Sequence, residues 1–103
     1  MDTQARIKET VTGTPVVLYM KGSPKFPQCG FSSLATQVLD ACEAHYITVD
    51  VLQDQEVREG IKVFANWPTI PQLYVQGEFV GGSDIIKSMY DSGELLTLLA
   101  GAK

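Results

Sequence analysis

Several features that mark broad protein classes are scarce or missing here. The 103 residues include only Cys29 and Cys42 as cysteines, far below the density of a disulfide-built secreted scaffold. No apolar run approaches the ~20 residues that a membrane helix needs. Lys plus Arg number 8 against 12 Asp plus Glu, for a net charge of -4. No segment gathers the cations into a stripe, so neither nucleic acid nor an anionic membrane is an expected partner. His45 is the only histidine, and it has no Cys or His near it at zinc-ligand spacing. A phosphate loop, a nucleophile–His–acid triad and a paired set of catalytic carboxylates are all missing. The first residues, Met1 to Arg6, are polar and of both charge signs, which fits a cytoplasmic protein in a reducing compartment.

What is present reads as one domain over residues 1–103, with an ordinary 45% hydrophobic share and no repeat or linker. Asp2 to Val11 reads as a short surface helix with Ile7 and Val11 inward. Val16 to Met20 is a continuous apolar run, as expected of a strand buried on both faces. Lys21 to Gln28 holds Gly22, Pro24 and Pro27 and reads as a loop. Phe31, Leu34, Ala35, Val38, Leu39 and Cys42 then fall on one helical face. A strand follows over Tyr46 to Val51. Asp54 is placed to cap a second helix with Val57, Ile61, Phe64 and Ala65 inward. Gln76-Gly77 joins strands Gln72–Val75 and Glu78–Val80 in a hairpin. Ser83 or Asp84 is placed to cap a helix to about Tyr90, and Ser92-Gly93 separates it from an apolar last segment. The order α-β-α-β-α-β-β-α implies an α/β fold with a four-stranded mixed sheet and helices on both faces.

Cys29 carries the chemistry. It stands where the loop becomes a helix, beside backbone N–H groups that lack intrahelical partners and at the positive end of the helix dipole. A thiolate there is stabilised below its free pKa of about 8.5, and Lys21 and Lys25 add positive charge. Three positions on stands Ser32 rather than a second cysteine, so a local disulfide is ruled out and any turnover needs an outside thiol. Cys42 continues the apolar stripe and reads as packing. Ile70-Pro71 stands before a strand. On its own it is an ordinary trans turn far more often than a cis bond, which is ~5% of X–Pro bonds. Gly81-Gly82-Ser83-Asp84 is either a plain capping turn or a seat for the amino and carboxylate groups of a ligand. Arg58, read alone, is a solvated charge.

Four runs in this order resemble the monothiol glutaredoxins of the CGFS type over nearly the whole chain. They are Tyr19-Met20-Lys21-Gly22-Ser23-Pro24, Cys29-Gly30-Phe31-Ser32, Trp67-Pro68-Thr69-Ile70-Pro71-Gln72-Leu73-Tyr74 and Gly81-Gly82-Ser83-Asp84. The resemblance implies a thioredoxin/glutaredoxin fold with a glutathione groove. By similarity, Lys21 and Arg58 hold the glycyl carboxylate of glutathione. The backbone of Ile70, before a cis Pro71, pairs with the cysteinyl part. Ser83 and Asp84 hold the γ-glutamyl end, and Thr69 and Trp67 line or support the groove. The glutathione sulfur then lies beside Cys29.

The family also holds a bridging [2Fe–2S] cluster between two protomers. Such a cluster needs four ligands, usually thiolates. Two copies of Cys29 and two glutathiones supply them, so a homodimer and transfer to apo iron–sulfur clients are implied. Pairing with a BolA-type protein is a second implication. One departure is visible: many members have Cys where this chain has Ser83, so a Cys29 disulfide to that position is excluded. Two readings compete with the carrier. One is a monothiol glutathione-disulfide oxidoreductase, and the other is a bare interaction module. The long loop Lys21 to Gln28 accompanies cluster transfer in the family and favours the carrier.

Overall fold

The computed structural model describes residues 2–102. In chain order the elements are helix α1 (Thr3–Gly13), strand β1 (Val16–Met20), helix α2 (Gly30–Ala41), strand β2 (Ile47–Asp50), a short 3-10 turn (Val51–Gln53), helix α3 (Gln55–Ala65), strand β3 (Gln72–Val75), strand β4 (Glu78–Gly81), helix α4 (Ser83–Ser92) and helix α5 (Glu94–Ala100). The sheet order is β2-β1-β3-β4. Strands β1 and β2 run parallel, which requires the long crossover that α2 supplies. The other two pairs are antiparallel. The expected α/β architecture with a four-stranded mixed sheet is therefore the one observed.

Alternation along β1 divides the core in two. Val16, Leu18 and Met20 pack with Ala35, Val38 and Leu39 of α2, Ile86 of α4 and Leu95 of α5. Val17 and Tyr19 face the other way, onto Ile7 and Val11 of α1 and Val57 and Ile61 of α3. Side chains that alternate across a strand need covering on both faces, and the amphipathic helices provide it. Helix α1 starts at Asp2, whose carboxylate accepts from the Ala5 N–H at 2.7 Å. Asp54 caps α3 by accepting from the Glu56 and Val57 N–H groups at 3.0 and 3.3 Å. It also accepts from Arg6 at 3.1 Å, tying α1 to α3.

Three local readings change. Phe31 was expected on the buried face of α2 but is 62% exposed, whereas Ser32 is fully buried. The inner face is Ser32, Ala35, Thr36, Val38 and Leu39. A serine is tolerated inside because the Lys21 N–H donates to its Oγ at 3.0 Å. Strand β2 stops at Asp50, where the carboxylate accepts from the Leu52 N–H at 2.9 Å and starts the 3-10 turn. Gly82, not Ser83 or Asp84, is the residue before α4, and among the described residues no side chain caps that helix. The break expected at Ser92-Gly93 is found, with Gly93 at φ +87° between α4 and α5. The hairpin turn is as expected, with Gln76 and Gly77 both at positive φ.

The connection from β1 to α2 is a bonded loop rather than a slack one. The Gln28 N–H donates to Lys21 O at 2.8 Å, and Ser23 and Phe26 exchange backbone bonds at 3.1 and 3.3 Å. The Gly22 N–H donates to Asp50 Oδ1 at 3.0 Å. Gly22 has φ +91°, and a Cβ there would lie 2.5 Å from Phe26 O and 2.7 Å from Gln28 N. Gly93 also has positive φ but open space around it. Gly93→Ala is expected to lose about 1–2 kcal/mol of stability. Gly22→Ala adds a backbone clash and is expected to lose a further 1–3 kcal/mol or so. Urea unfolding of both variants checks this, and equal losses would show that the loop yields freely.

Candidate functional site

The strand register gathers several connections at one end of the sheet. Met20 pairs with Asp50, Tyr19 with Gln72, and Leu73 with Gly81. The C-terminal ends of β1, β2 and β4 and the start of β3 therefore lie together. From this end leave the Lys21–Gln28 loop toward Cys29, the turn into α3, the segment 67–71 and the start of α4. A Cβ on Gly82 would lie 3.3 Å from Pro71 O and 3.4 Å from Trp67 Nε1, so the Gly-Gly run and the proline turn are in contact. The Ile70–Pro71 peptide is cis.

Cys29 is the residue before α2, with extended φ and ψ of -158° and 138°. Its thiol is partly exposed. Partial burial works against the thiolate. The N–H groups of Ser32 and Phe31, the Ser32 hydroxyl and the charge of Lys21 outweigh it and hold the pKa below the ordinary cysteine value. The physical cause is the one expected at a helix start, where donors point outward without partners. Ser32 takes part twice, since its oxygen also accepts from the Lys21 N–H.

The other expected residues divide into side chains and backbone. Lys21 is partly buried, and its charge reaches the sulfur. Arg58 lies just past the first turn of α3, and among the described residues no carboxylate pairs with it or with Lys21. Thr69 is exposed at the sheet end. Ile70 is 5% exposed, with its side chain in the core shared by α1 and α3, so only its backbone is left for a ligand. Pro71 is buried beside it. Ser83 is buried and Asp84 exposed in the first turn of α4.

Cys42 is at the far end of α2, roughly 20 Å away at 1.5 Å per residue. It packs against the core and is half-buried, and burial pushes its thiol pKa up. No disulfide with Cys29 is possible over that span. Cys42 lines a 780 Å³ cavity with Pro15, Tyr46, Leu96 and Leu99. That cavity is at the end of the sheet away from Cys29. His45 is exposed there, as a surface residue at a helix end should be. Among the described residues no three His, Cys, Asp or Glu side chains group to hold a metal ion. One chain thus offers a metal a single accessible low-pKa thiol.

Two features of this end, at Asp50 and Gln72, were not legible as functional, and Trp67 was legible only through the resemblance. Asp50 anchors the loop through the Gly22 N–H. Trp67 Nε1 is buried without a hydrogen-bond partner among the described residues. Gln72 is fully buried and bonded to the segment before Pro71. An apolar strand opening on a glutamine was the only signal for the last, and periodicity alone does not separate it from a surface position.

Comparison with known proteins agrees with this geometry. Residues 16–80 match the glutaredoxin family model. Glutaredoxin 4 of Haemophilus influenzae is 50% identical over 100 residues, covering 97% of this chain and 94% of that protein. A Synechocystis protein described as an uncharacterized monothiol glutaredoxin is 52% identical over 98 residues, covering 95% and 92%. The solution structure of reduced poplar apo GrxS14 superposes with a TM-score of 0.83 at 43% identity, covering 96% and 91%. A buckwheat glutaredoxin–glutathione complex has a TM-score of 0.85 at 22% identity, covering 97% and 91%, a likeness of fold. With its lone thiol at the start of α2, serine at position 32 and relatives of this closeness, the chain belongs to the glutaredoxin family, in its monothiol group.

Proposed function

We propose that this glutaredoxin binds glutathione at the Cys29 end of the sheet and carries a labile [2Fe–2S] cluster for transfer to apo iron–sulfur proteins. The observation that carries the reading is the single low-pKa thiol of Cys29 at the start of α2, within reach of the Lys21 charge, which has no carboxylate partner among the described residues. Glutathione is a small anionic peptide with its own thiol. Lys21 and Arg58 suit its glycyl carboxylate, since charge-assisted bonds to a carboxylate are the strong ones. The backbone of Ile70 beside Pro71 is the edge for its cysteinyl part, with Thr69 along it. Ser83 and Asp84, at the start of α4, suit the γ-glutamyl carboxylate and amino group. Gly82 leaves room beside Pro71, and the unpartnered Trp67 Nε1 is a spare donor in the same wall.

The cluster is cargo, and ligand count sets the assembly. Four ligands are needed and one chain contributes Cys29. A second protomer and two glutathiones complete the set, giving a cluster-bridged homodimer; a BolA-type partner would form the alternative heterodimer. Half the ligands are then exchangeable small molecules, which favours release to a client. A reducing, cytoplasmic setting keeps Cys29 available as a thiolate.

The lowered Cys29 pKa also favours a second reading, monothiol reduction of glutathionylated proteins. The Cys29 thiolate attacks the glutathione sulfur of a mixed disulfide and the protein thiolate leaves. A second glutathione thiolate then attacks Cys29–S–SG, regenerating the Cys29 thiolate and releasing glutathione disulfide.

Anaerobic assembly with iron, sulfide and glutathione is expected to give visible cluster absorption in the wild type and in Cys42→Ser, and none in Cys29→Ser. Retention of cluster by Cys29→Ser would overturn the carrier reading. Arg58→Ala is expected to weaken glutathione binding roughly ten- to a hundredfold, the worth of a hydrogen bond to a charged group. Calorimetric titration reads it, and unchanged affinity would remove Arg58 from the site. Alkylation by iodoacetamide requires the thiolate. A lowered pKa places the half-maximal rate of Cys29 below the ordinary cysteine range, and a raised one places Cys42 above it. Peptide mass spectrometry across pH resolves the two, and the reverse order would contradict the electrostatics.

A further inference from the structure

The segment 67–71 has little backbone bonding of its own. Pro68 and Pro71 lack N–H groups, and the Trp67 N–H is spent on Lys62 O at 3.0 Å, at the end of α3. What ties it to the sheet is a side chain. Gln72 Nε2 donates to Trp67 O at 3.2 Å and to Thr69 O at 3.1 Å. The Tyr74 hydroxyl donates to Gln72 Oε1 at 2.8 Å. The amide's two N–H bonds and its oxygen are all engaged, and the side chain is fully buried. A backbone carbonyl can only accept, so the NH₂ end must face the two carbonyls, and the amide oxygen is left to accept from the tyrosine hydroxyl. Tyr74 is itself wedged edge-on against Tyr19, with ring centroids 5.7 Å apart, and lies 5.5 Å from Phe79. Phe79 is 5.5 Å from Trp67, so the rings close the circuit back to the turn. A buried amide is expensive to keep without partners, and an apolar residue would fill the same strand position.

We infer that Gln72 is a positioning residue of the glutathione site: its buried amide, held at its oxygen by the Tyr74 hydroxyl, sets the shape of the Trp67–Thr69 turn and hence the groove edge at Thr69–Pro71. This rests on the reading that glutathione binds at this end. It adds two residues, both beneath the groove, to those that determine affinity.

Gln72→Met keeps the length of the side chain and deletes all three bonds, while Tyr74→Phe removes one hydroxyl. Leu95→Ala, in the core on the opposite face of the sheet, is a control for lost stability alone. Glutathione affinity is measured calorimetrically on the full chain well below each variant's melting temperature. Gln72→Met is expected to bind about tenfold more weakly and Tyr74→Phe about threefold, with Leu95→Ala unchanged. Trp67 is the only tryptophan, so its fluorescence reports the turn directly. Its emission is expected to shift in Gln72→Met and not in Leu95→Ala. Wild-type affinity in Tyr74→Phe together with an unshifted Gln72→Met spectrum would overturn the inference. A wild-type chain that does not bind glutathione would instead overturn the reading beneath it.

Discussion

The hydrogen bond from the Lys21 backbone N–H to Ser32 Oγ joins the two pieces of chain on which the site depends. One is the end of β1, fixed in the centre of the sheet. The other is the first turn of α2, whose free N–H groups face the Cys29 sulfur. With the two fastened together, the loop between them closes on itself, anchored at Gly22 by Asp50. Cys29 is thereby held at a helix start, with the Lys21 charge in reach. A serine hydroxyl does this where a second cysteine would have offered an internal disulfide, so one residue both secures the thiol and leaves it unpaired within the chain.

The remaining elements follow from that arrangement. A parallel β1–β2 pair places the start of α3, and so Arg58, at the same sheet end as Cys29. The antiparallel hairpin returns Gly82 beside Pro71. Side chains of Ile70 and Pro71 are committed to packing, which leaves backbone as the polar surface along that edge. A cavity around Cys42 is at the opposite end, where a raised pKa makes the thiol a poor nucleophile.

Much of this was legible in the residue pattern. The five-residue apolar run of β1, the Asp54 cap and the Gln76-Gly77 turn each rest on local chemistry, and each is found where local chemistry puts it. The misplaced inner face of α2 shows the limit. Phe31 and Ser32 exchange roles because tertiary structure offers Ser32 a backbone donor from Lys21, just past β1 and eleven residues away, which no helical period encodes. Cis geometry at Pro71 is a similar case, since residue statistics alone favour trans. Gln72 was invisible as a functional residue for the same reason: its partners are a turn and a tyrosine defined only once the sheet exists. Cys29 was readable because helix-start chemistry is local.

On the function proposed above, Cys29 works with thiols from outside its own chain. Native mass spectrometry of the anaerobically assembled protein tests it most directly. One species containing two chains, two glutathiones and one [2Fe–2S] unit is expected. A cluster carried by a single chain, or by two chains without glutathione, would contradict it.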